Sequence, residues 1–119
     1  MDKELFNTLS KSIHLDELSI SVGQEYTVFG IIFWEDIPRF YICDNLEDEY
    51  PTPYPSFFFE VVDETLPIDW KLSVYFSNGK VQSQIVFKEW AEDKMFYEKL
   101  VDGSEKEIQI FNSYKAKYS

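Results

Sequence analysis

Acidic and aromatic side chains dominate the chemistry available to this chain. Six carboxylates, Glu35, Asp36, Asp44, Glu47, Asp48 and Glu49, lie close together in sequence and are interleaved with Trp34, Tyr50 and Tyr54. Paired carboxylates can serve as general acid and base when a cleft holds them on either side of a bond. Carboxylates spaced around a glycine-bent loop can bind calcium. Asp44-Asn-Leu-Glu-Asp-Glu lacks both the glycine and the alternating spacing, so no dedicated metal site is expected. A nucleophile and base would need His14 beside Cys43 or a serine, with a third group to orient them. His14 closes an amphipathic helical stretch and Cys43 lies in a hydrophobic strand, settings that suit a helix-end imidazole and a small buried hydrophobe. One histidine and one cysteine cannot complete a zinc site. The glycines are isolated, so none builds a phosphate-cradling loop. No catalytic residue and no cofactor are therefore expected. Aromatic anchors within a charged rim are instead the ingredients of a protein interface. The expected partner-binding residues are Trp34, Glu35, Asp36, Asp44, Glu47, Asp48, Glu49, Tyr50 and Tyr54.

Charge placement bears on the kind of partner. The net charge is −11, and residues 1–60 carry three basic against twelve acidic side chains, whereas residues 61–119 carry eight and ten. Between Lys11 and Lys71 Arg39 is the only basic side chain. Such a field repels nucleic acids and anionic membranes and attracts a basic protein. The same charge also keeps an aromatic-rich chain in solution. The N-terminus, Met-Asp-Lys-Glu-Leu-Phe, lacks the basic-then-apolar layout of a signal peptide. The longest apolar run, Val28 to Trp34, is far too short to span a membrane. A lone cysteine fits a reducing compartment. A cytoplasmic location is expected.

The elements carrying these residues follow from periodicity. Tyr26 to Asp44 reads as a hairpin, two β-branched and aromatic runs around an Asp/Pro turn at Glu35 to Pro38. Its first run is apolar at both alternating sets, which places it in the middle of a sheet with cover on each face. Asp2 can cap a helix whose Leu5, Phe6, Leu9 and Ile13 share one side, and that helix is expected to lie across the sheet. Leu18, Ile20 and Val22 alternate like a short edge strand, with a turn at Gly23-Gln24. Three prolines between Pro51 and Pro55 make Asn45 to Pro55 an ordered surface loop without regular structure. Phe57, Phe58, Val61 and Val62 recur at a spacing that favours a helix over a strand across Ser56 to Thr65, ended by Pro67. Asn78-Gly79 is the preferred pair for a two-residue hairpin turn. Closing it pairs Phe76 with Val81, Val74 with Ser83, Leu72 with Ile85 and Trp70 with Phe87, which predicts that this apolar face is the buried one. Asp93 caps a helix through Phe96, Tyr97, Leu100 and Val101 that stops at Gly103. Ser104-Glu-Lys-Glu107 opens a last helix through Ile108, Phe111 and Tyr114, with Lys115 and Lys117 favourably placed in its final turn. The expected architecture is a single α+β domain over residues 1–119, an antiparallel sheet of four to five strands with N-terminal and C-terminal helices packed on it.

Phe57-Phe58-Phe59-Glu60-Val61-Val62-Asp63 through Trp70, then Phe87-Lys88-Glu89-Trp90 and Phe96-Tyr97, resemble strings in bacterial proteins of toxin–immunity gene pairs. Those proteins are similarly small, acidic, α+β and rich in aromatic strands. Leu66-Pro67 and Asn78-Gly79 are also similar to elements of one immunity superfamily, although there they follow directly on an N-terminal helix. The resemblance implies a cytoplasmic inhibitor that neutralises a basic, nuclease-like toxin domain, and it assigns no residue a role. The residues by themselves predict a non-catalytic, acidic protein-binding domain. Two alternatives stay open: a small-molecule binder or small enzyme with a carboxylate pair in an aromatic-lined pocket, and a structural or regulatory subunit of an oligomer.

Overall fold

Residue Gly30 sits at the centre of the structure because the middle of the sheet has no room for a side chain there. The computed structural model describes residues 21–34, 37–45 and 47–118. Strands β1 (Val28–Trp34), β2 (Ile37–Ile42), β3 (Thr52–Pro55), β4 (Trp70–Ser77) and β5 (Lys80–Phe87) precede helices α1 (Lys88–Glu92), α2 (Phe96–Val101) and α3 (Glu105–Tyr118). The strands form one sheet in the order β3-β2-β1-β5-β4, every neighbouring pair antiparallel. This is the expected α+β architecture, with β1 in the middle. A Cβ at Gly30 would lie 2.7 Å from Val86 Cγ1, 3.3 Å from Tyr41 and 3.5 Å from the Trp90 ring. Gly30, Tyr41 and Val86 are register partners and so share one face. The absent side chain lets the indole of Trp90, from α1, settle against that face, where it is 1% exposed.

The core grows outward from this contact. Phe87, Trp90, Phe96, Leu100 and Phe111 are buried with Phe29, Ile32, Tyr41 and Val86. Phe87 stacks on Tyr114 with ring centroids 4.0 Å apart, and Phe29 meets Phe111 edge-on. A buried aromatic of this size is worth about 3–5 kcal/mol to a fold. Two of the anticipated helices are present, although the first is capped by Met95 without a side-chain bond and not by Asp93. Gly103, at φ +87°, ends α2, and its amide donates to the Leu100 carbonyl. At the start of α3 the Ser104 hydroxyl donates to the Glu107 carboxylate. Asp93 accepts the Met95 amide ahead of α2. Helix α1 is one that periodicity missed, because five residues are too few to show a helical repeat.

The β4–β5 turn has Asn78 at φ +53° and Gly79 at φ +76°, the left-handed pair that a two-residue hairpin loop demands. All four predicted pairings, Phe76 with Val81 through Trp70 with Phe87, are present. At the Trp70–Phe87 end the apolar row is buried as expected, with Phe87 in the core, but toward the turn the buried face is the other one. Leu72, Val74, Phe76 and Val81 are 59–71% exposed, whereas Gln84 and Val86 are buried under the helices. Trp90 packs beside Gly30, on the face opposite the apolar row.

Three further expectations change. The proline segment is not wholly irregular, for Thr52–Pro55 pairs with β2. Pro53 and Pro55 are two apart, so both lack an N–H on the same side. That side is the sheet's outer edge, where no donor is needed and where proline blocks further pairing. The expected Ser56–Thr65 helix is limited to one 3-10 turn at Ser56–Phe58 without a side-chain cap. Phe59 instead packs on Tyr26, Phe40 and Tyr54, which holds the chain extended there. The first hairpin turn is tighter than expected, with Ile37 and Pro38 already paired to Trp34 and Phe33. The helix expected over Leu5 to Ile13 and most of the short strand at Leu18 to Val22 lie outside the described residues. Ser21 and Val22 belong to no strand, and the turn lies at Val22-Gly23, one residue before the expected Gly23-Gln24.

Replacing Gly30 with Ala is expected to destabilise the protein by about 1–3 kcal/mol through overpacking. The double variant G30A/V86A, which removes the 2.7 Å neighbour, should lose less than the sum of the two single changes. Urea denaturation of the four proteins checks this; strict additivity would contradict it.

Candidate functional site

The loop between β2 and β3 gathers the acidic residues. Asp44, Asp48, Glu49 and Tyr50 line one open hollow of about 240 Å³ with Thr52, and Glu47 is exposed on the same loop. The loop is held from three directions. Tyr54, only 8% exposed, donates its hydroxyl to Asp44 Oδ1 at 3.0 Å. Within the loop the Asn45 amide donates to Asp48 Oδ2 at 3.2 Å, and the Asp48 amide donates to the Asn45 carbonyl. From α2, Tyr97 donates its hydroxyl to the Pro51 carbonyl at 2.6 Å. From α3, Lys115 Nζ donates to the Asp48 carbonyl at 2.8 Å. Each such bond contributes about 1 kcal/mol, so the backbone is fixed while the carboxylates of Glu47 and Glu49 face solvent. Among the described residues the ion pairs are Lys99–Asp93 and Lys117–Asp69, and neither uses a carboxylate of this loop.

The expected nine-residue patch divides in two. Antiparallel pairing puts Trp34 at the turn end of β1 and β2 and the acidic loop at the other end. Five residue steps along β2 separate those ends, about 17 Å. Asp44, Glu47, Asp48, Glu49 and Tyr50 come together, and Tyr54 lies beneath them as a support with little surface of its own. Trp34 does not join them. Arg39 lies over its ring at 5.0 Å, a cation–π contact. Glu35 and Asp36 lie outside the described residues. Sequence reasoning placed the aromatic and acidic residues together because they are close along the chain. The direction of the strands decides otherwise.

Trp34 belongs to a second concavity of about 370 Å³, lined also by Ile32, Tyr41, Pro53, Tyr75, Met95, Tyr97, Lys94 and Glu98. Alternation in β4 sets Tyr75 opposite the apolar row, but nothing in the sequence says that the helices cover that side. Its lining contains one carboxylate, Glu98, so the aromatic hollow and the carboxylate cluster occupy different places. Among the described residues no group of three or more His, Cys, Asp or Glu is arranged to hold a metal ion. Cys43 is half-buried, and burial pushes its thiol up to about 11, with Asp48 and Asp44 adding to the rise and Lys115 opposing it. It is therefore a thiol at neutral pH. Burial likewise raises Tyr54 and Tyr97 above the ordinary tyrosine value, with the Asp44 bond reinforcing the first. Both remain hydrogen-bond donors. No helix among the described residues is long and apolar enough to cross a membrane.

No family model, characterised protein or solved structure matches this chain.

The far end of α3, which sends Lys115 to the loop, is anchored on Asp69. Asp69 accepts from Tyr118 at 2.9 Å and Lys117 at 2.8 Å, while Trp70 Nε1 donates to the Tyr118 hydroxyl. Burial alone would raise Asp69, but the bonds from Lys117, Tyr118 and its own backbone outweigh it and hold the carboxyl below 3.8. A depressed folded-state value contributes stability that is complete above 3.8 and is lost as pH falls through the lowered value. Asp69→Asn is expected to cost about 1–2 kcal/mol at neutral pH. The gap from wild type should close in acid below the ordinary carboxylate value, as read by urea denaturation across pH. A gap that persists unchanged into acid would contradict the assignment.

Proposed function

We propose that this protein is a non-catalytic binding domain that presents the β2–β3 loop, with Asp44, Glu47, Asp48, Glu49 and Tyr50, to a basic protein partner. The observation that carries this reading is a loop whose backbone is held by Tyr97 and Lys115 and whose Asp44 carboxylate is held by Tyr54, while Glu47 and Glu49 stay exposed. A surface already held in shape loses little entropy when it binds. Exposed carboxylates on it, Glu47 and Glu49, speed the approach of a cationic partner. An immunity protein that occupies the cationic groove of a nuclease-like toxin is the specific form we favour, and the resemblance noted in the sequence is its support. The separation of the carboxylates from the aromatic hollow weighs against a pocket enzyme built on a carboxylate pair. The alternative of a subunit in an oligomer draws on another surface, the apolar face of β4 and β5, and expects a self-associated chain.

Association with the product of the neighbouring gene is expected to slow about tenfold or more when Glu47 and Glu49 are both changed to Lys, with most of the loss in the on-rate. The same charge change at Glu92 and Glu105, which are exposed on helices, should have a much smaller effect. Surface plasmon resonance at low and moderate salt checks both. A rate equally indifferent to both pairs and to salt would remove the proposed role of the loop, and absence of binding would remove the proposed partner.

A further inference from the structure

The two outer edges of the sheet are finished differently. On β3 the outward side carries Pro53 and Pro55, which offer no N–H to another strand. At the other edge lies β4, which contains no proline and keeps an unbroken register with β5 from Trp70 to Ser77. The two-residue turn decides which of its backbone groups face out. Ser77 and Lys80 flank that turn as partners and exchange hydrogen bonds, so Lys71, Ser73, Tyr75 and Ser77 direct theirs to β5. Trp70, Leu72, Val74 and Phe76 therefore point their amides and carbonyls away from the sheet. The Trp70 amide finds an acceptor there, the Pro67 carbonyl at 3.1 Å. Among the described residues no backbone bond reaches the outward groups of Leu72, Val74 and Phe76, and their side chains are exposed.

We infer that this edge pairs with β4 of a second copy of the chain, antiparallel and centred on Val74, so that two sheets become one. Three observations select that occupant. The first is that the edge is complementary to itself. With Val74 of one copy opposite Val74 of the other, Leu72 faces Phe76 and Phe76 faces Leu72, and each pair exchanges two backbone hydrogen bonds. On the other face Ser73 falls opposite Tyr75 and Lys71 opposite Ser77, so no like charges meet. A slip of two residues in either direction would bring in the occupied Trp70 amide or the turn residue Asn78 instead. The second is charge. Copies of a chain with net charge −11 repel each other, but Trp70 to Lys88 is its longest run without a carboxylate and carries Lys71, Lys80 and Lys88. Along this hairpin two copies can meet without carboxylates facing carboxylates. The third is closure. Prolines block the β3 edge, so strand addition ends at a two-fold dimer and does not continue into a fibre. That edge is four strand spacings from β4, about 19 Å. The β2–β3 loop stays open in the dimer, and the inference does not rest on the role proposed for that loop.

Sedimentation equilibrium of the full-length protein, with amide exchange read residue by residue, tests the inference. The wild-type chain should pass from monomer to dimer at about 10–100 µM, the weak end expected of so small an interface. In the dimer the amides of Leu72, Val74 and Phe76 should exchange about tenfold more slowly than in dilute protein. Val74→Lys and Val74→Glu each set like charges opposite one another at the two-fold axis and should weaken dimerisation about tenfold or more. An equal mixture of the two variants should restore it, which also shows that both fold. A wild-type chain still monomeric at about 1 mM would overturn the inference. So would a dimer whose three outward amides exchange as fast as in the monomer, which would place the contact away from the edge. Slow exchange of those amides at every dilution, or a mixture of V74K and V74E that stays monomeric, would overturn it equally.

Discussion

The contact between Gly30 and Trp90 is the constraint on which the arrangement depends. A middle strand that gives up one side chain makes a vacancy between Tyr41 and Val86, and the indole fills it. Filling it fixes α1 against the sheet. Trp90 in turn lies against Tyr97 and Phe96 of α2, with ring centroids 5.6 and 6.0 Å away, and Tyr97 also meets Tyr41 at 5.0 Å. The hydroxyl of that same Tyr97 holds the Pro51 carbonyl. The shape of the acidic loop is thus inherited from a packing choice made in the core, through a short line of aromatic contacts.

The direction of the strands separates the acidic β2–β3 loop from Trp34. The β2–β3 loop holds the open carboxylates at one end of the first hairpin. Trp34, with Arg39 over its ring, marks the other end, beside the aromatic hollow. An enzyme built on acid–base chemistry needs its carboxylates inside a shielded cavity, where burial can set their protonation apart. Here they sit on an open rim, an arrangement better suited to meeting a charged surface than to holding a small substrate. The proposed binding role rests on this separation together with the bracing of the loop by α2 and α3.

Much of the fold was legible because local chemistry and register agreed. Asn78-Gly79 dictated its turn, the turn dictated every pairing in β4 and β5, and Gly103 and Ser104 marked the boundary between the last two helices. What was not legible depended on contacts distant in sequence. Alternation in the second hairpin separated its two faces correctly but could not say which one the helices would choose, since Trp90 packs beside Gly30, more than forty residues away. Pro53 and Pro55 read as breakers because a proline's effect in a sheet depends on whether its nitrogen points inward or outward. The aromatic spacing in Ser56 to Val62 looked helical, yet Phe59 found its partners on β2 and β3. For the candidate site, the acidic loop could be found from composition alone. The exclusion of Trp34 from it required knowing that β2 carries the chain back to the opposite end of the hairpin.

The most direct measurement is hydrogen exchange of the free protein and of its complex with the product of the neighbouring gene. The account predicts that slowed exchange on binding is concentrated in residues 44–51, with little change around Tyr75 and Met95. Slowing centred on the aromatic hollow, with residues 44–51 unaffected, would contradict it.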